Sequence, residues 1–181
     1  RLSISTYARQ QAIQQAQRCS SAQTRERVLV SQAVAFTLGE YLQTQGTLTI
    51  EDGRSGQLKF VELLDLCDFK ANDRSIEVRT IIQGGEPALY VPTMPLLVGV
   101  LSDLYVCAEV DAKLSEVTMQ GFIERARLTE AELTPNGLFA KLPLEALTPF
   151  SQLLQQLAQA NPVRDSVAQF DEWQKRAERI V

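Results

Sequence analysis

The chain has 181 residues, 45% of them hydrophobic, 22% charged and 7% aromatic, with a net charge of −4. These are the proportions of a globular protein long enough to bury a core without metal or disulfide staples, and they exclude collagen, low-complexity and wholly disordered chains. There is no histidine, which removes any chemistry that rests on an imidazole base or ligand.

The first expected element is a helix over residues 4–18, capped by Ser5 or Ser3, with Tyr7, Ala12, Ile13 and Ala16 as a weak apolar stripe and glutamines on the other face. Ser20 and Ser21 mark a turn. A second helix is expected from Gln23 to Gln45, with Val30, Val34, Leu38, Tyr41 and Leu42 on one face and Gly46 as its C-terminal cap. The two read as an antiparallel hairpin whose stripe needs a cover.

Residues 51–56 read as a loop and 57–64 as a short helix or a strand, with Phe60, Leu63 and Leu64 favouring the helix. Leu66–Ala71 reads as a strand that turns at Asn72-Asp73. Ile76, Val78, Thr80 and Ile82 then alternate with Glu77, Arg79 and Ile81 at the two-residue period of a half-buried strand. Gly84-Gly85 predicts a reversal, with Ala88–Val91 pairing back as a hairpin. Leu104–Val110 and Val117–Arg125 are two more strands. Together they predict one four- to five-stranded, mostly antiparallel sheet.

Thr148-Pro149 reads as a helix start, and Phe150, Leu153, Leu154 and Leu157 as the stripe of a helix ending near Ala160. Beyond Pro162, Val167, Phe170, Trp173, Ala177 and Ile180 predict a last helix. The expected fold class is therefore α+β. Residues 1–147 are expected to form the core domain, and 148–181 a C-terminal helical pair leading into a further region.

Charge is uneven. Residues 1–46 carry five Arg against two Glu, and the acidic excess lies between 47 and 147. The overall balance argues against a dedicated nucleic-acid binder; Arg9, Arg18, Arg25 and Arg27 are the residues through which one would act. Cys19, Cys67 and Cys107 form no CxxC pair and fit free thiols. Cys67 and Cys107 are expected to be buried, and Cys19 is the candidate for reactivity. The apolar stretch from Met94 to Val110 is too short to span a bilayer, so no membrane span is expected.

Nucleophile elbows, phosphate loops and zinc signatures are missing from the sequence. Asp65 and Asp68 are the one carboxylate pair that can bind a hard cation or share a proton; a solvated strand end is the plainer reading. Glu51-Asp52-Gly53 has part of a calcium loop without its alternating acids. Thr129, Glu130 and Glu132 read as helix-start residues. Arg79 is expected to face outward and to form a cross-strand ion pair or grip a partner's carboxylate. Glutamine is abundant, Arg outnumbers Lys thirteen to five, and Trp173 is a natural anchor. All three suit a protein interface.

Several segments resemble one family. Tyr7-Ala8-Arg9-Gln10-Gln11 through Val28-Leu29 to Ala33-Val34 and Tyr41-Leu42-Gln43 is similar to the N-terminal helices of a cyanobacterial family of unknown function, number eighteen twenty-two. Asp65-Leu66-Cys67-Asp68-Phe69 resembles its acidic strand entry. Ile76-Glu77-Val78-Arg79-Thr80 resembles its Leu-Glu-Cys-Arg-Pro strand, and Tyr90-Val91-Pro92 its Tyr-Val-Pro-Pro turn. Tyr105-Val106, Val110-Asp111, Leu114 and Gly121-Phe122 follow its next hairpin. The chain departs at Thr93-Met94, where the family tends to have Pro-Glu, and has Ser102-Asp103-Leu104-Tyr105 in place of an Asp-Arg-Ile-Gly-Tyr run. The resemblance implies a cyanobacterial, cytoplasmic protein in a regulatory or signalling context and supplies no activity.

The expected function is a non-enzymatic module that binds another protein, through Arg9, Arg25, Arg79 or Trp173. No cofactor, metal or catalytic residue is expected, and a homo-oligomer is left open. The alternative is a metal-dependent hydrolase using Asp65 and Asp68.

Overall fold

Ser5 opens the first helix in extended backbone, and its hydroxyl accepts from Ala8 N at 2.9 Å. The same hydroxyl donates to the Glu40 carboxylate at 2.7 Å. One side chain thus caps helix α1 (Thr6–Gln17) and ties it to helix α2 (Ala22–Thr44). Such a cap contributes about 1 kcal/mol. The computed structural model describes residues 1–45, 50–52, 68–72, 74–93 and 102–159. The expected elements at 57–64 and 165–180, and with them Gly46, Asp65, Cys67 and Trp173, lie outside the described residues.

Of the expected stripe α1 buries Ala12 and Ala16, and Ala8 joins them in place of Tyr7 and Ile13. Tyr7 is 56% exposed and Ile13 40%. Alanines four apart form a line of minimal bulk, so the α1 backbone approaches α2 along that line and the larger side chains flank it. The Tyr7 ring meets Phe36 edge-on, 6.4 Å between centroids. α2 starts from Ser21, whose hydroxyl accepts from Thr24 N at 3.0 Å. Its middle is buried nearly all round, from Ser31 to Ala35 and again at Thr37, Leu38, Gly39 and Leu42. α1 covers one side of it and a sheet the other.

Among the described residues that sheet holds six strands: β1 (Leu2–Ser3), β2 (Ile50–Asp52), β3 (Phe69–Ala71), β4 (Arg74–Ile82), β6 (Leu104–Val110) and β7 (Glu116–Glu124). Their order is β1-β7-β6-β4-β3-β2, and β4 runs parallel to β6 while the other neighbours are antiparallel. A second sheet is made of β5 (Ala88–Pro92), β8 (Glu132–Leu133) and β9 (Phe139–Pro143), in the order β5-β9-β8.

The fold class is α+β, as expected, but the strands are divided between two sheets. β5 does not return onto β4 as a hairpin; it leaves for β9, with Tyr90 opposite Lys141. The place beside β4 is taken by β6, whose residues are apolar on both faces. Leu104, Val106, Ala108 and Val110 join the core under the helices, while Tyr105 and Cys107 join a second core with Leu89, Val91, Ile123, Ala140 and Leu142. A strand apolar on both faces needs two covers. The helices provide one and the small sheet the other.

The start of the C-terminal region also differs. Thr148 is not a helix cap. Its backbone pairs with Phe122 of β7, N to O at 2.8 Å and O to N at 2.9 Å, and its hydroxyl accepts from Arg127 Nη1 at 3.2 Å. A 3-10 turn at Phe150–Gln152 then leads into α3 (Leu153–Ala158). Leu153 and Leu157 enter the core under the helices. Asn72 Nδ2 donates to Leu157 O at 3.2 Å and Arg74 Nη2 to Gln159 O at 3.5 Å, so the β3–β4 turn holds the carbonyl end of α3. Thr129 and Glu130 close a 3-10 helix (Arg125–Glu130) and Glu132 begins β8, so this run is not a helix start.

Gly121 makes the Thr148 crossing possible. A Cβ built there lies 2.7 Å from Thr148 O and 2.8 Å from Leu147 Cβ. Backbone on one side and a packed Leu on the other leave no room to yield. Gly121→Ala is expected to destabilise the fold by about 1–3 kcal/mol, as overpacking does, and to lower the urea unfolding midpoint with the slope unchanged. An unchanged midpoint would show that residues 147–148 do not press on β7.

Candidate functional site

The alternation along β4 turns Ile76 and Val78 toward the helices and Glu77 and Arg79 toward the second sheet. Glu77 is 2% exposed and forms an ion pair with Arg79 Nη2. Ser102 Oγ donates to Glu77 Oε2 at 3.4 Å, and Ser102 N donates to Tyr105 Oη at 3.3 Å. Burial, and next the Glu77 charge, push the Tyr105 hydroxyl far above its usual range, so it stays protonated. Arg79 therefore does not face outward. It pairs within its own strand, two residues from Glu77, because the second sheet covers the face that the two-residue period marks as the solvent side.

Asp68 has a comparable structural position. Its Oδ1 accepts from the buried Gln32 at 2.9 Å and its Oδ2 from Val78 N at 2.7 Å. One carboxylate thus links α2 to the sheet. Arg9 Nη2 donates to Leu114 O at 2.7 Å, and Arg25 Nε to Ser21 O at 3.4 Å at the start of its own helix. Arg18 Nη1 donates to Gln15 Oε1 at 3.2 Å, and Arg27 is exposed. Leu114 has φ 52° and sits in the β6–β7 turn. Asp111 organises that turn by accepting from Ser115 N, Ser115 Oγ and Glu116 N at 2.6–2.8 Å. The donors, first the Glu116 amide and then the Ser115 hydroxyl, hold the Asp111 carboxyl down at about 2. Cys107 is buried as expected, and burial and then the Glu109 charge push its thiol up to about 12. Cys19 is half-buried. Among the described residues no three His, Cys, Asp or Glu side chains are placed to hold a metal, and no helix is long and apolar enough to cross a membrane.

The face that no sequence pattern singled out is the outer surface of the second sheet. Residues directly opposite in a ladder share a face. Tyr90, Lys141 and Glu132 therefore form a row across β5, β9 and β8, with Pro92 opposite Phe139 beside it. The Tyr90 and Phe139 rings stand at 87°, 6.2 Å apart, and Lys141 Nζ lies 5.8 Å from the Tyr90 ring centroid. Glu86 accepts hydrogen bonds from both Tyr90 Oη and Lys141 Nζ. The Lys141 and then the Tyr90 hydrogen bond hold the Glu86 carboxyl below its usual 4.5. The bond to Glu86 raises both Tyr90 and Lys141. Phe139 is 38% exposed and the neighbouring Leu138 54%. The face thus has an aromatic centre and a hydrogen-bonded charged rim, and the exposed Leu138 precedes Phe139 in the chain. The signal for it was dispersed: Glu86, Tyr90 and the pair Phe139-Lys141 meet only through the β5–β9 register.

The chain belongs to the family described as protein of unknown function (DUF1822), whose model matches residues 2–180. No curated protein and no solved structure matches it.

Two outcomes test these sites. Arg79→Ala removes the guanidinium that faces the buried Glu77 and is expected to destabilise by about 3–5 kcal/mol; a change in the urea midpoint within error would contradict the burial of the pair. Glu86, with a lowered folded value, stabilises the fold above 4.5 and loses that contribution as pH falls through its folded value. Carbon-detected NMR should place its titration below 4.5, with Lys141 Nζ and Tyr90 ring resonances moving in the same step.

Proposed function

We propose that this chain is a non-enzymatic protein-binding module with a regulatory role, and that the outer face of the second sheet is its contact surface. The observation that carries the reading is the exposed Phe139, next in the chain to the exposed Leu138, packed against the Tyr90–Lys141–Glu86 group. Exposed aromatic anchors with a polar rim are the composition of protein interfaces. The rim residues already hold one another in place, so a partner meets an ordered surface and loses little side-chain freedom on docking. The position of Asp68 between Gln32 and the Val78 amide supports a structural role for that carboxylate over a catalytic one. The resemblance in the helices and strands supports a cyanobacterial, cytoplasmic setting.

The test is parallel affinity capture from a lysate of the source organism, with the native chain and a Leu138→Ser/Phe139→Ser variant as bait. A protein retained stoichiometrically by the native chain is expected to fall about tenfold or more with the variant, the loss of two apolar anchors. The variant's circular dichroism and unfolding midpoint should be close to native. Equal retention by both baits would remove this face from the reading. An empty capture from both would remove the binding function itself.

A further inference from the structure

The β8–β9 turn carries an exposed Asn136 followed by a buried Gly137, which has φ 68°. Without a Cβ, glycine lets its amide nitrogen approach the preceding side-chain carboxamide once the turn opens. We propose that Asn136 is a site of spontaneous deamidation whose rate is set by opening of the β8–β9 turn. The inference does not depend on the protein-binding reading.

The reaction needs water alone. Hydroxide removes the Gly137 N–H proton, and the nitrogen attacks Cγ of Asn136. The side-chain nitrogen leaves as ammonia, which closes a five-membered imide. Water then opens the imide at either carbonyl, giving aspartate or isoaspartate. Nothing is oxidised or reduced.

The folded turn opposes both first steps. Gly137 N donates to Thr134 O at 2.8 Å, so its proton is engaged. Oδ1 of Asn136 accepts from Thr134 Oγ1 at 2.8 Å and from Leu138 N at 3.1 Å, which pins the carboxamide. The buried Thr93 holds the tip from the side, with Oγ1 donating to Gly137 O at 2.7 Å and N to Leu138 O at 3.0 Å. Several hydrogen bonds must open together before the nitrogen can reach Cγ. The two products then differ. Aspartate at 136 keeps an acceptor for Leu138 N. Isoaspartate adds a carbon to the main chain and moves the Gly137 and Leu138 carbonyls away from Thr93.

The experiment ages the purified chain in mildly alkaline buffer, folded and in concentrated urea, and follows the tryptic peptide Leu128–Lys141 by mass. A gain of one mass unit at Asn136 is expected in urea, with the folded chain converting about tenfold more slowly, as expected when several bonds must open first. Thr93→Val is expected to bring the rate in buffer toward the rate in urea, and Asn136→Gln to abolish conversion. Equal rates for the native chain in buffer and urea would overturn the gating. No conversion in urea would overturn the site. If Thr93→Val does not fold, the comparison of the native chain in the two conditions still decides.

Discussion

The parallel pairing of β4 with β6 is the constraint on which the rest of the structure depends. Seven residue pairs, Ile76–Leu104 to Ile82–Val110, bring two strands together in the middle of the large sheet. A central parallel pair is buried on both faces. On one face α1, α2 and α3 supply the cover, and Leu38, Leu42, Leu153 and Leu157 pack against Val78, Val106 and Ala108 in a single core. On the other face the small sheet supplies it, through Leu89, Val91, Ala140 and Leu142. Each buried aliphatic side chain contributes roughly 1.5–3 kcal/mol, so neither cover is dispensable to the strands beneath it.

The same constraint explains where the charged groups lie. β4 alternates strictly, and its second face carries Glu77 and Arg79 in an otherwise apolar inter-sheet layer. Two charges taken out of water are tolerable there because they neutralise one another and because Ser102 adds a hydrogen bond. Asp68 is handled in a similar way on the helix side, where Gln32 and the Val78 amide share its oxygens. Both carboxylates are bonded within the scaffold. The surface residues Glu86, Tyr90, Phe139 and Lys141 are the reverse: ordered by one another, and accessible.

The N-terminal layer shows how small residues position large ones. Ala8, Ala12 and Ala16 allow α1 to lie close on α2, Ser5 links the two helices through Glu40, and Arg9 reaches across to the β6–β7 turn. Gly121 plays the corresponding part in β7, where it lets residues 147–148 cross the strand and deliver α3 to the core. In both places the contact is set by the absence of bulk.

The helical hairpin is legible in the amino-acid order, because serine caps and a three-to-four-residue apolar spacing are local signals read within a few turns. The same order marks β4 by a period of two visible along a single strand, and β6 and β7 as further strands, and hence the α+β class and the burial of Cys107. The family was legible as well, since an ordered set of short motifs survives without knowledge of their contacts. The pairing of β5 with β9, the parallel register of β4 on β6, the exposure of Tyr7 and Ile13 on α1, and the inward position of Arg79 were settled only by the folded arrangement. Each depends on what lies across from a residue. Local periodicity states that a strand has two faces; it does not state which second layer will cover the outer one. The Tyr90–Phe139–Lys141–Glu86 face falls in the same class, because its members are separated by about fifty residues in the chain and are joined by a cross-strand register that no local pattern encodes.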